Sequence, residues 1–152
     1  MHDLLTTAYK MNDTNTNVGG WKSSAMRTST MPIMKGYLPP VWQTAIKPVN
    51  KASGLGGGST SGTETVSDHC FLLAEIEVFG STSYSVSGEG TQYAYYKAGN
   101  SKVKENVGGS ANYWWERSPC SGQNVFCRVS SSGGADFYRA DYRGGVAFGF
   151  CV

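Results

Sequence analysis

Tyr113-Trp114-Trp115-Glu116-Arg117-Ser118-Pro119 and, after five intervening residues, Val125-Phe126-Cys127-Arg128-Val129 decide how this chain is read. Both runs carry the aromatic and β-branched residues that fit a pleated surface. Val125, Cys127 and Val129 alternate with Phe126 and Arg128, the period of two expected of a half-buried antiparallel strand. Val146 to Val152 forms a further apolar run, and Ser-Gly-rich turns separate the three. The C-terminal third is therefore expected to be sheet.

Upstream the pattern is helical and broken. Leu4, Leu5, Ala8 and Met11 fall on one face at helical spacing, and Asn12 to Asn17 is a polar turn-forming run expected as a surface loop ending at Gly19-Gly20. Trp21, Ala25 and Met26 predict a second helix that Pro32 ends before Ile33. Pro39-Pro40 open a third, with Val41, Trp42, Ala45 and Ile46 as its buried side and Pro48 as its stop. Gly54 to Gly62 is a Gly/Ser/Thr loop too poor in apolar groups to offset its ordering entropy. Cys70 to Leu73 reads as a strand, Glu75 to Phe79 as one helical turn, Gly80 to Gly90 as polar loop, and Tyr93 to Lys97 as a short helix closed near Gly99. Helices first and strands last, with few parallel crossovers possible, predict a single α+β domain.

The 152 residues suit one core. A formal charge of +2, with Lys and Arg scattered, gives no electrostatic footprint for nucleic acid. No apolar run approaches the roughly 20 residues of a membrane span, so membrane insertion is not expected. The opening Met1-His2-Asp3-Leu4-Leu5 starts as if within an element, as a domain cut from a longer protein would. Cys70, Cys120, Cys127 and Cys151 form no C-x-x-C pair and are read as mostly buried free thiols.

Four segments together carry a resemblance: Trp21 with Ser24-Ala25-Met26-Arg27, Phe71-Leu72-Leu73, Trp114 to Pro119, and Gly145-Val146-Ala147-Phe148-Gly149-Phe150. They resemble the W-W-x-R-S-P, G-V-x-P-x-F domain family of gut Firmicutes and their phages, with Phe148 standing where that pattern has Pro. The family is similar in turn to C-type-lectin-fold variable proteins diversified by retroelements. The resemblance implies a C-type-lectin-like fold and a non-enzymatic role in ligand or receptor binding. It implies display on a virion tail or a bacterial cell surface, a cell-surface protein or glycan as partner, and homotrimers in the full-length protein.

Within the tail, Trp114, Trp115, Arg117, Phe126, Gly145 and Phe150 read as framework. Glu116, Cys120, Ser121, Gly122, Gln123, Arg128, Asp136, Phe137, Tyr138, Arg139, Asp141, Tyr142 and Arg143 have no consistent character and read as the variable, ligand-binding surface. Tyr supplies large amphipathic area at small entropy cost, Arg adds stacking and bidentate contacts, and Ser and Gly add adaptability, as in a paratope. Residues 136–143, read as an exposed loop, are its centre; the alternative is a twisted hairpin whose aromatics cover the core. Each Trp indole needs a hydrogen-bond partner if buried, one ring in the core and the other under the recognition loops. Arg117 is expected to pair with an acidic group or with carbonyls.

Other chemistries find little support. His2 and His69 are the histidines, and neither accompanies a nucleophile in a triad pattern. His69-Cys70 lacks a second ligand pair for zinc. Asp136 and Asp141 are the close carboxylates of the tail, without an E-P-N or W-N-D string for calcium-dependent sugar binding. The glycine runs lack the Lys-Ser or Lys-Thr of a phosphate loop. No metal or cofactor is expected. Cys120 and Cys127 would be the reactive pair of a thiol-dependent oxidase of the formylglycine-generating type, a similarity of fold only; a structural decoration module is the remaining alternative.

Overall fold

The computed structural model describes residues 3–4 and 8–152. In chain order these form strand β1 (Asp3–Leu4), helix α1 (Gly20–Ser23), a π-helical turn (Met26–Thr30), α2 (Met31–Gly36), α3 (Pro40–Ala45), β2 (Val49–Gly54), β3 (Thr63–Asp68) and β4 (Phe71–Leu72). There follow α4 (Glu75–Phe79), α5 (Ala94–Lys97), β5 (Lys104–Asn106), β6 (Ala111–Asn112), β7 (Trp114–Pro119), β8 (Val125–Val129), β9 (Ala135–Arg139) and β10 (Phe148–Gly149). The strands gather into small sheets, β7-β8-β9, β2-β3, β4-β10 and β1-β5-β6, antiparallel except where β1 meets β5. Mixed helix and small antiparallel sheets make this an α+β fold.

Several local expectations are corrected. Leu4 lies in β1 rather than a helix, and Tyr9 bridges Gly144; Leu5 and His2 lie outside the described residues. Helix continues through Pro32 because the π-helical turn closes at Thr30 and a new helix starts at Met31. Pro32 thus falls in a first turn, where its missing N–H is not needed. Helix α3 buries none of its own residues: Val41 and Trp42 are exposed, Trp42 meets the Phe150 ring edge-on, and only Ile46, just beyond, reaches the core. The Gly-rich stretch after Gly54 is the turn of a full six-pair hairpin between β2 and β3 that the sequence reading lacked. It is docked rather than free, since Gly56 (φ +69°) sits so close to the chain that a Cβ would come within 1.9 Å of the Asn17 carbonyl.

The β7-β8-β9 sheet contributes to two apolar clusters. Adjacent residues of a strand point to opposite faces, so Trp115 enters the main core with Trp21, Met11, Leu72 and Phe126, while Trp114 enters a second cluster with Val78, Tyr96 and Val129. Both Trp rings are fully buried; Trp114 Nε1 donates to Lys102 O (2.9 Å) and Trp115 Nε1 to Tyr9 O (3.0 Å). Hence β8 is covered on both faces, not half-buried, and Trp114 lies under the 102–104 segment rather than under the tail's loops.

Between Trp115 and Pro119 the β7–β8 register shifts: Trp115 faces Arg128, and Pro119, four residues on, faces Phe126. This bulge re-aims the intervening side chains. Arg117, fully buried, uses all five of its donors: Nε to Ala52 O (2.9 Å), Nη1 to Leu72 O (2.9 Å) and Glu77 Oε2 (2.5 Å), Nη2 to Glu77 Oε1 (3.1 Å) and Glu89 O (2.7 Å). Glu77 also accepts from Lys51 Nζ (3.1 Å) and the Ala74 N–H (2.9 Å). Burial pushes the Glu77 carboxyl up, but the Arg117 bonds and charge, with Ala74 and Lys51, outweigh it and hold the group below the ordinary carboxylate range.

Glu77→Gln leaves a charged guanidinium buried with half its partner, so chemical denaturation should show a loss of about 3–5 kcal/mol. Because the folded carboxyl is depressed, its contribution is present above the ordinary carboxyl range near 4.5 and disappears as pH falls through the lower folded value. The gap between Glu77→Gln and the parent should therefore close on acidification; a pH-independent gap would contradict the ion-pair account.

Candidate functional site

The outward residues of the tail converge on β9, the edge strand of the β7-β8-β9 sheet. Arg139 pairs with Val125, Tyr138 with Phe126 and Asp136 with Arg128, and the Ala140 N–H continues the ladder to Asn124 O (2.9 Å). Residues 136–139 are thus strand, not loop. They escaped a period-two reading because Phe137, Tyr138 and Arg139 are all exposed, so no apolar alternation marks them.

One side of β9 carries a continuous stack. The Arg128 guanidinium lies 4.0 Å from the Tyr113 ring centroid and 4.3 Å from that of Tyr138, while its Nε donates to Asp136 Oδ2 (2.8 Å). Tyr138 in turn meets Tyr142 edge-on at 4.6 Å. Stacking on a charged, hydrogen-bonded Arg holds the rings in place. On the other side Phe137 packs edge-on against Tyr84 at 4.8 Å. Phe137, Tyr138 and Tyr142 remain 42%, 38% and 52% exposed. Arg139 grips Asp141 (2.8 Å), and Arg143 Nη1 donates to Ala8 O (3.0 Å).

The exposed Ser121, Gly122 and Gln123 lie at the end of the sheet where β9 runs into Ala140. Asn17 holds that turn: its Nδ2 donates to Gly122 O (2.6 Å) and Val125 O (2.7 Å), its Oδ1 accepts from the Gly57 N–H (2.8 Å), and its own N–H reaches Gln123 O (3.0 Å). Fully buried, Asn17 is the opposite of the surface-loop residue expected there. Sequence reasoning also missed Tyr84 and left Tyr113 without a role. A lone aromatic in the Ser-rich 80–90 stretch was the available signal for Tyr84.

Three assignments to the exposed surface are corrected. Glu116 is fully buried, Cys120 is 4% exposed, and Arg128 is 7% exposed beneath the two tyrosines, so Glu116 and Cys120 are removed from contact and Arg128 acts by supporting rings. Glu116 lies within the wholly buried strand β7, and neither of its carboxylate oxygens finds a partner among the described residues. Burial, then the nearby Glu75, Glu89 and Cys120, push its carboxyl well up, against the opposing charge of Arg117. Of the framework residues, Trp114, Trp115, Arg117, Phe126 and Gly145 are buried and Phe150 is half-buried.

Two clefts lie away from this surface. One, of about 390 Å³, is lined by residues including Arg27, Lys35, Asp68, His69 and Cys70, where burial foremost pushes the Cys70 thiol up. The other, of about 590 Å³, is walled by Phe71, Tyr93, Tyr95, Tyr96, Lys104 and Phe150. Burial raises Tyr96 to about 12 and lowers Lys104. Among the described residues no group of three or more His, Cys, Asp or Glu is placed to hold a metal ion, and no helix is long and apolar enough to cross a membrane.

Glu116→Gln tests the inward placement. A carboxyl whose folded pKa is raised imposes no penalty below the unfolded value near 4.5 and a growing one above it, until the folded group ionises. The variant should gain on the parent by up to about 1.4 kcal/mol per pH unit in that window. Equal stability at every pH would place Glu116 in solvent.

No curated protein and no solved structure matches the chain. Residues 1–152 match throughout the family described as Domain of unknown function (DUF6273), and the chain belongs to that family.

Proposed function

We propose that this chain is a non-enzymatic recognition domain of C-type-lectin-like fold that binds a protein or glycan on a cell surface through β9 and the turn after it. The observation that carries the reading is the ordered Tyr113–Arg128–Tyr138–Tyr142 stack, whose three tyrosines are exposed over the buried Arg128, flanked by Phe137, Arg139 and Arg143. Aromatic and Arg side chains dominate binding energy where they are held rigid and can be desolvated together. The mixture of short helices with small antiparallel sheets and long connections supports the C-type-lectin-like assignment.

Side chains on an exposed edge strand can change without disturbing the core, because Trp115 and Phe126 on one face and Trp114 and Val129 on the other keep the sheet fixed. That is the property a diversified surface requires, and it supports display on a virion tail or bacterial surface, where trimers would add avidity. The thiol-oxidase alternative needs an accessible thiolate. Cys127 is instead fully buried, and burial first, then the Cys120 contact and the Glu116 and Glu75 charges, push its thiol well up.

The test is a glycan and cell-surface-protein array probed with the domain and with a variant in which Tyr138, Arg139, Tyr142 and Arg143 are all Ala. Binding should fall at least about 100-fold, since hot-spot truncations cost about 2 kcal/mol or more each. The melting temperature should stay close to the parent's, as these positions are exposed. Indistinguishable array profiles would refute the site.

A further inference from the structure

Cys120 and Cys127 stand at the two sides of the turn that joins β7 to β8, and their sulfurs are 3.0 Å apart. That is about 1 Å beyond the roughly 2.0 Å of a covalent S–S bond. The Cys120 N–H donates to Val125 O (3.1 Å), so the backbone of the turn is already closed around the pair. Both side chains are buried, at 4% and 0% exposure. The other two thiols are elsewhere: Cys70 belongs to the main core with Trp21 and Met31, and Cys151 is exposed beside Lys47.

We propose that Cys120 and Cys127 form an intrachain disulfide that cross-links the base of the Ser121–Asn124 turn when a low-molecular-weight disulfide is available as oxidant. The Cys120 sulfur, next to exposed Ser121, attacks the reagent, releasing one thiol and leaving a mixed disulfide on Cys120. Cys127 then displaces the second thiol. Two S–H bonds break and one protein S–S bond forms, while the reagent's S–S bond is reduced to two thiols that take up both hydrogens.

The surroundings fit a structural cross-link rather than a reactive centre. Catalytic cysteines sit in electropositive, partly open sites that favour the thiolate. Here the neighbouring groups are Glu116 and Glu75, and the Cys127 thiol is pushed up. Closure is therefore slow at neutral pH, faster in alkali, and dependent on transient opening of the turn. Once made, the bond ties down the same turn that Asn17 holds by its carbonyls, and it removes chain freedom from the unfolded state.

The experiment uses the whole 152-residue chain, fully reduced, then incubated with oxidised glutathione at pH 8.5, acid-quenched, unfolded with N-ethylmaleimide and mapped by mass spectrometry. A Cys120–Cys127 linkage, two hydrogens lighter and without maleimide at either sulfur, should account for most of the protein. The Cys70→Ser, Cys151→Ser double variant should give the same linkage and a melting temperature about 5 °C above its reduced form. Maleimide on both Cys120 and Cys127 after a time that oxidises the urea-unfolded chain would overturn the proposal. So would pairing of either with Cys70 or Cys151, or a linked form that melts below the reduced one. None of these readouts depends on the recognition reading, so the two can fail separately.

Discussion

The buried pairing of Arg117 with Glu77 is the constraint on which the arrangement of this domain rests. A guanidinium has five donors in a rigid plane, and here the five reach β2 at Ala52, β4 at Leu72, helix α4 at Glu77 and the segment before α5 at Glu89. Four separate pieces of chain are thereby registered on one side chain. Lys51, spanning Glu77, the Tyr93 hydroxyl (2.6 Å) and the Phe71 ring face (4.0 Å), widens the same hub. A lysine at 117 would bring three donors from one point and could not satisfy carbonyls lying in a plane around it. Such a centre is costly to desolvate, which makes it specific: a small misplacement of any of the four segments leaves a charge unpaired.

The orientation of β7 follows from that hub, and the two-sidedness of the sheet follows from β7. As neighbours in β7, Trp114 and Trp115 fall on opposite faces and each belongs to a separate apolar cluster. Strand β8 is then buried on both sides, and β9, one strand further out, is the first position where side chains meet water on both faces. Exposure of the aromatic stack is thus a geometric result of where the sheet ends. Asn17 closes the other end of the arrangement, anchoring the Ser121–Asn124 turn to the N-terminal segment and to the β2–β3 hairpin loop.

This hierarchy explains what could be read from the residues alone. The Trp pair and Arg117 were legible because large apolar rings, and an Arg directly beside them, have few satisfactory environments. The run 125–129 was legible as a strand but not as one covered twice, since Arg128 looks solvent-facing until Tyr113 and Tyr138 are brought over it by tertiary pairing. Asn17 and Glu116 were misplaced for a related reason. Both are polar residues in polar or variable-looking stretches; the burial of Asn17 depends on partners forty or more residues away, and that of Glu116 on β7 being covered along its whole length. Strand β9 gave no periodic signal because an edge strand exposed on both faces has nothing to alternate.

The electrostatics of the outer surface follow from the same economy. Arg128 is neutralised by Asp136 and Arg139 by Asp141, each at 2.8 Å, so the two cations nearest the stack bring their own counter-ions. A face built this way has little long-range field, and exposed charges are in any case screened beyond about 8–10 Å at physiological salt. On the recognition role we propose, encounter with a partner would draw little on steering, and affinity would reside in short-range contact: ring area, the stacked guanidinium, and displacement of water from Tyr138 and Tyr142. Such contacts change one side chain at a time without altering the charge balance of the sheet beneath. An edge strand carrying self-neutralised pairs can therefore change its side chains while the Arg117 hub, two strands away, is left undisturbed.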